Sequence, residues 1–137
     1  MRDFELGLLT PAGGVFSGNV QALFVRTTNG EVGIMAGHTD YLAGVVPCVA
    51  SLTDGEGKER TAFCGGGFLS VVAGKATLAV DEFAFAEDID AETVANEKAR
   101  LAEQLAACDA QKEPERAQYL KDAMIRAEAK RKAASAR

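Results

Sequence analysis

The glycines of this chain are confined to one half of it. All fourteen lie before residue 75, and alanine dominates from Asp90 onward. Glycine costs a helix interior up to about 1 kcal/mol relative to alanine, and it supplies the positive φ that tight turns require. The first part therefore reads as strands joined by turns, and the second as helix. Short β-rich runs cover 4–9, 20–27, 32–35, 45–52, 60–64, 68–73 and 76–80. Pro11-Ala12-Gly13-Gly14, Asp54-Gly55-Glu56-Gly57 and Ala73-Gly74-Lys75 carry turn chemistry. Several short strands at this spacing point to a sandwich or barrel, small enough that both sheets share one core.

The hydrophobic period changes near residue 88. Asp90 suits an N-cap, with Glu92 in the first turn where the helix dipole favours an acid. Val94, Leu101, Leu105 and Cys108 fall on one helical face, while Glu97 and Arg100 lie off it. A break follows at Asp109-Ala110-Gln111-Lys112-Glu113, and Pro114 opens a second helix. That helix carries Ala117, Leu120, Met124 and Ala127 on one face. The expected class is α+β, mainly β: a two-sheet β-sandwich over residues 1–87, then an antiparallel αα-hairpin over 88–137. The junction 82–88 reads as acidic and solvated, and the tail 130–137 as frayed. Alanine buries little area, so the hairpin is expected to be marginal alone. It must either dock on the sandwich or come away from it.

The net charge of −5 hides a split. Residues 1–115 hold 8 basic and 18 acidic residues, whereas 116–137 hold 7 basic and 2 acidic. A basic end on an acidic body suits an electrostatic contact with an acidic partner. Nucleic acid is disfavoured, because only Tyr119 interleaves with the basic residues. Cys48, Cys64 and Cys108 are odd in number and form no C-x-x-C pair, so reduced thiols are expected. Met1-Arg2-Asp3-Phe4-Glu5-Leu6 has no apolar signal-peptide core, and no run is long enough to span a bilayer.

Candidate chemistry is sparse. Gly65-Gly66-Gly67 leads into Phe68-Leu69-Ser70, a strand, and Gly74-Lys75 is followed by Ala76, so neither makes a phosphate loop. Ser70 stands where a dinucleotide fingerprint needs its last glycine. His38 is the single histidine and has no metal-ligand or nucleophile spacing around it. Asp81-Glu82, Glu87-Asp88 and Asp90 read as a solvated acidic stretch. No catalytic residue, cofactor or metal is expected, and a β-sandwich adaptor for other proteins stands as one reading.

Three motifs in order support a second reading: Thr10-Pro11-Ala12-Gly13-Gly14-Val15-Phe16-Ser17-Gly18, then Gly30-Glu31-Val32-Gly33-Ile34-Met35-Ala36-Gly37-His38, then Gly66-Gly67-Phe68-Leu69-Ser70-Val71. Together they resemble the epsilon subunit of F-type ATP synthases. The resemblance implies a non-catalytic central-stalk subunit that binds the gamma subunit and sits on the c-ring, peripheral to the cytoplasmic face of the inner membrane. It implies a rotor contact at Gly30, Glu31, Gly33, Ile34, Gly37 and His38. The chain departs from the family at Thr39-Asp40-Tyr41-Leu42 and at Val46-Pro47-Cys48. Some family members bind ATP through an Ile/Leu-Asp-x-x-Arg-Ala motif. Here it reads Ile89-Asp90-Ala91-Glu92-Thr93-Val94, with Thr93 in place of the arginine, so ATP binding is expected to be weak or absent. The basic second helix, with Arg116, Lys121, Arg126 and Lys130, is similar to the family segment that meets the catalytic beta subunit and brakes ATP hydrolysis.

Overall fold

One long strand organises the N-terminal part. A computed structural model describes residues 3–136. Met1, Arg2 and Arg137 lie outside the described residues, and with them the start of the expected leaderless segment and the last residue of the expected frayed tail. Strand β1 (Phe4–Thr10) turns at Pro11-Ala12 into β2 (Gly13–Thr27), which runs for 15 residues. The remaining strands are β3 (Gly30–Met35), β4 (Tyr41–Val45), β5 (Cys48–Asp54), β6 (Glu59–Cys64), β7 (Gly67–Val72), β8 (Lys75–Val80) and β9 (Phe83–Phe85).

The first half of β2 pairs antiparallel with β1, and its second half with β3 and β5. Its end meets β4 at Thr27↔Val45. β4 continues through β7 and β8 back to β1, which lies parallel to β8. One layer thus holds β1, β8, β7 and β4, and the other holds the end of β2 with β3, β5, β6 and β9. Leu6, Leu8, Val20, Leu23, Ile34, Leu52, Leu69 and Leu78 fill the space between them. They come from alternate positions, as a pleat with one buried face demands.

The strand count is higher than the sequence runs suggest. The expected strand over 45–52 breaks at Pro47, which has no N–H to give a ladder. Its first residue ends β4, which Gly44 had concealed. Residues 13–19 extend β2 where a turn and loop were expected. The expected acidic junction contains β9, whose Phe83 and Phe85 pair with Cys64 and Ala62 of β6. Gly67 permits the close approach of β7 to β8: a Cβ there would clash with the carbonyl of Ala79 and lie 2.7 Å from the Cα of Val80.

A 3-10 turn (Ala86–Asp88) leads to α1 (Ala91–Ala107) and α2 (Pro114–Ser135). Asp90 caps α1, accepting from the Glu92 N–H at 3.0 Å. Pro114 opens α2 at its first turn, where no N–H is needed. Leu101, Leu120 and Ala127 form the contact between the helices, with Leu105, Cys108, Ala123 and Met124 around it. The tail does not fray as expected. Ala129, Ala133 and Ala134 are buried with Ile89 and Val94 against Phe63 of β6. Their small side chains let the helix approach the sheet, and Phe63 supplies the bulk that the alanines lack. Phe63→Ala should therefore cost about 3–5 kcal/mol. Urea unfolding followed by circular dichroism checks this, and a loss under 1 kcal/mol would show that Phe63 is not the seat of the hairpin.

Candidate functional site

The Thr27–Gly30 turn joins β2 to β3. The Thr27 hydroxyl donates to the Gly30 carbonyl at 2.7 Å and accepts from the Asn29 N–H at 3.1 Å. Gly30 has φ +112°, which side-chain-bearing residues rarely adopt. Register then fixes the rest: Arg26 faces Glu31, Phe24 faces Gly33 and Leu23 faces Ile34. Glu31 is exposed and lies 3.8 Å from Arg26, a surface pair of little strength. Gly33 leaves room for the Phe24 ring, whose edge would stand 2.5 Å from any Cβ there. Gly37, at φ +84°, makes the turn in which the His38 N–H reaches the Met35 carbonyl.

The six residues expected at a rotor contact thus divide by role. Glu31 projects outward. His38 is half-buried, with Nδ1 at 2.8 Å from the Thr39 carbonyl and its ring edge-on to Tyr41. The three glycines shape the backbone. Ile34 is a core residue and offers no surface. The resemblance groups it with the others, but β alternation turns it inward.

A larger surface escaped the sequence reading. On β4, β7, β8 and β1 the outward positions align by register: Leu42 opposite Ser70, Gly44 opposite Phe68, and Phe68, Ala79 and Leu9 in one row. Leu42 is 73% exposed, Phe68 47%, Val72 58% and Leu9 47%. These apolar side chains share the face with Ser70, Thr77 and the Lys75–Glu5 pair, and the hairpin lies on the opposite layer, against β5 and β6. The available signal was the alternation Phe68, Ser70, Val72, which matters only once β4 is recognised as its neighbour.

The hairpin is held to the sandwich by charge as well as by alanine packing. Arg126 donates to both Asp81 oxygens, at 3.2 and 3.0 Å, and to Glu82 at 2.8 Å. Lys130 reaches the other Glu82 oxygen at 2.9 Å. Both cations also lie over Phe63, 5.6 and 5.3 Å from its ring centre. Glu128 joins Lys98 of α1 to Arg131. Burial pushes the Glu82 carboxyl up, but its bonds from Lys130 and Arg126 outweigh this and hold it below the ordinary value. The Arg131 and then the Lys98 bond hold Glu128 down to about 2. The acidic stretch at 81–82 is therefore a docking point and not merely solvated. Of the four expected contact cations, Arg126 and Lys130 are engaged within the chain. Arg116 and Lys121 make no ion pair with the described residues.

The degenerate nucleotide motif serves the fold. Ile89 is buried against Phe63 and Val94. Asp90 accepts from the Thr93 hydroxyl at 2.9 Å as well as from the cap N–H, so Thr93 completes the helix start. Among the described residues, no group of three or more His, Cys, Asp or Glu is placed to hold a metal. None of the helices in that range is long and apolar enough to cross a membrane.

Known proteins share this arrangement. The family described as ATP synthase, Delta/Epsilon chain, beta-sandwich domain, matches residues 3–86, which run from just before β1 to the end of β9 and the first residue of the 3-10 turn. The ATP synthase epsilon chain of Clostridium perfringens (strain SM101) is 32% identical over 105 residues, covering 77% of this chain and 79% of that one. ATP synthase epsilon chain 2 of Photobacterium profundum is 36% identical over 104 residues, covering 75% and 70%. A chain of the Euglena gracilis mitochondrial ATP synthase, in a structure of OSCP, F1 and c-ring, superposes with TM-score 0.79. It is 22% identical and covers 93% of this chain and 78% of that one, which shows the fold alone. With the sandwich matched throughout and relatives above 30% identity over three quarters of its length, this chain belongs to the delta/epsilon family of ATP synthase subunits.

Proposed function

We propose that the chain is the non-catalytic epsilon-type rotor subunit of an F-type ATP synthase, joining the gamma subunit to the c-ring. The observation that carries this reading is the uncovered apolar face of Leu9, Leu42, Phe68 and Val72. Exposed apolar side chains set among polar ones fit a protein partner, here gamma. The Thr27–Gly30 turn with Glu31, and the loop holding His38, would meet the polar loops of the c-ring. The subunit would then be peripheral to the membrane, on its cytoplasmic side.

The two parts of the chain divide the work. Residues 3–85 form the dock, and 91–135 form the hairpin. In the docked state Arg126 and Lys130 are bound to Asp81 and Glu82, so a partner competes with these carboxylates for the same cations. Undocking frees them to join Arg116 and Lys121 in a basic surface. That surface would meet acid on the catalytic beta subunit and slow ATP hydrolysis. Docking rests on ion pairs worth at most about 1 kcal/mol each and on the packing of three alanines, Ile89 and Val94 around Phe63.

Phe68→Glu should leave the domain folded and weaken binding to isolated gamma by roughly 30-fold, the scale of an interface hot spot. Titration calorimetry checks this, and unchanged affinity would move the gamma site elsewhere. Removing residues 90–137 should leave assembly intact and raise the ATP hydrolysis rate of the reassembled enzyme. An unchanged rate would remove the braking role.

The latch also predicts a pH response. A carboxylate whose folded pKa is depressed contributes stability that is fully present above its unfolded value, about 4.3, and is lost as pH falls through the lower folded value. Glu82, the carboxylate that holds Arg126 and Lys130 to the sandwich, is of this kind. The hairpin should therefore stay docked at neutral pH and loosen below about pH 4. In amide NMR spectra, α2 signals should shift in that range before those of β5 and β6. Simultaneous loss of both would show that the latch does not control docking.

A further inference from the structure

Strands β5 and β6 set two cysteines opposite one another. Cys48 and Cys64 are register partners, and alternation turns both into the sandwich core beside Ala50 and Ala62. Directly opposed residues of an antiparallel pair have Cα atoms about 4.5–5.5 Å apart. A disulfide spans about 4.4–6.8 Å between Cα atoms, so the backbone already suits one. Both cysteines are free thiols, and the Cys64 thiol donates to the Gly65 carbonyl at 3.5 Å.

Their surroundings are unequal. Cys64 is fully buried. Cys48 is 9% exposed and borders a groove of about 600 Å³ between β5 and the hairpin, beside Pro47, Lys98 and Met124. The Cys48 sulfur accepts from the Arg26 N–H at 3.4 Å. The neighbouring Cys64 thiol favours a Cys48 thiolate, burial opposes it, and the Arg26 N–H adds to it, with a net fall below the usual thiol range. The neighbouring Cys48, and burial, push Cys64 up. The single ionisation of the pair thus falls on Cys48, the less enclosed of the two residues.

We propose that Cys48 and Cys64 form a redox modification site whose substrate is a peroxide and whose product is an intrachain, cross-strand disulfide. The Cys48 thiolate attacks one peroxide oxygen, the O–O bond breaks, and the departing hydroxide takes up a proton to leave as water. Cys48 is then a sulfenic acid and carries no negative charge to oppose loss of the Cys64 proton. The Cys64 sulfur attacks the Cys48 sulfur, the S–O bond breaks, and the hydroxide leaves as water with the Cys64 proton. Two thiols lose two electrons, and one peroxide becomes two waters. The crosslink pins β5 to β6 beneath the seat of α2, and none of the latch residues is consumed.

Cys108, at the end of α1, provides the internal comparison. It is more exposed than either partner, so reaction by exposure alone would select it. The full-length chain is treated with stoichiometric hydrogen peroxide at neutral pH, and its thiols are counted and its peptides mapped without reduction. The expected result is loss of two of the three thiols, with the Cys48 and Cys64 peptides joined and restored by dithiothreitol. Cys108→Ser should leave this crosslink unchanged, and Cys48→Ser should leave Cys64 reduced. Should Cys48→Ser fail to fold, the Cys108→Ser chain still carries the test. Oxidation confined to Cys108, dimers linked through Cys108, or Cys48 driven to sulfinic acid with Cys64 still free would each overturn the proposal.

Discussion

The double pairing of β2 is the constraint on which the structure rests. Its first half belongs to β1 and its second half to β3 and β5, so one strand commits both layers to a single register. A slip of one residue would turn Val20, Leu23 and Val25 outward together. The Thr27–Gly30 turn and the outer face of β4, β7 and β8 inherit their positions from this strand. So does the groove beside Cys48, because β5 is laid down on the second half of β2.

The hairpin obeys a different physics. Its seat is one phenylalanine under a row of alanines, flanked by Arg126 and Lys130 over the same ring. Alanine keeps the helix close to the sheet but contributes little area, and half-exposed ion pairs add little more. The sandwich core has no such economy: Leu6, Leu8, Leu23, Leu52, Leu69 and Leu78 are fully buried. The platform is thus packed far more heavily than the element seated on it.

Much of this was legible in the residues. The glycine boundary gave the two halves, and Asp90 and Pro114 gave the helix starts. The missed elements share a cause, which is that local signals were outvoted by distant pairing. Gly44 and Pro47 argue against strand on each side of β4 and β5, yet β7 and β6 supply the ladders that hold them. Phe83 and Phe85 sit among acids that hide their alternation. The apolar docking face needed three strands distant in sequence to be set side by side. The Asp81 and Glu82 latch needed a partner more than forty residues away. Ile34 shows the opposite case: a string that reads as a contact loop includes a core residue.

The strand order has a mechanical consequence. β1, β8, β7, β4 and β2 close on themselves, since β2 pairs with both β4 and β1. Unzipping a sheet starts at an edge, and a closed circuit presents none. A twisting load applied at the apolar face and resisted at the Thr27–Gly30 turn would be shared in shear across many hydrogen bonds, not peeled away one bond at a time. The free edges are left to β3 and β9, outside that circuit. The sandwich is thereby stiff around that circuit, and the hairpin is attached outside it.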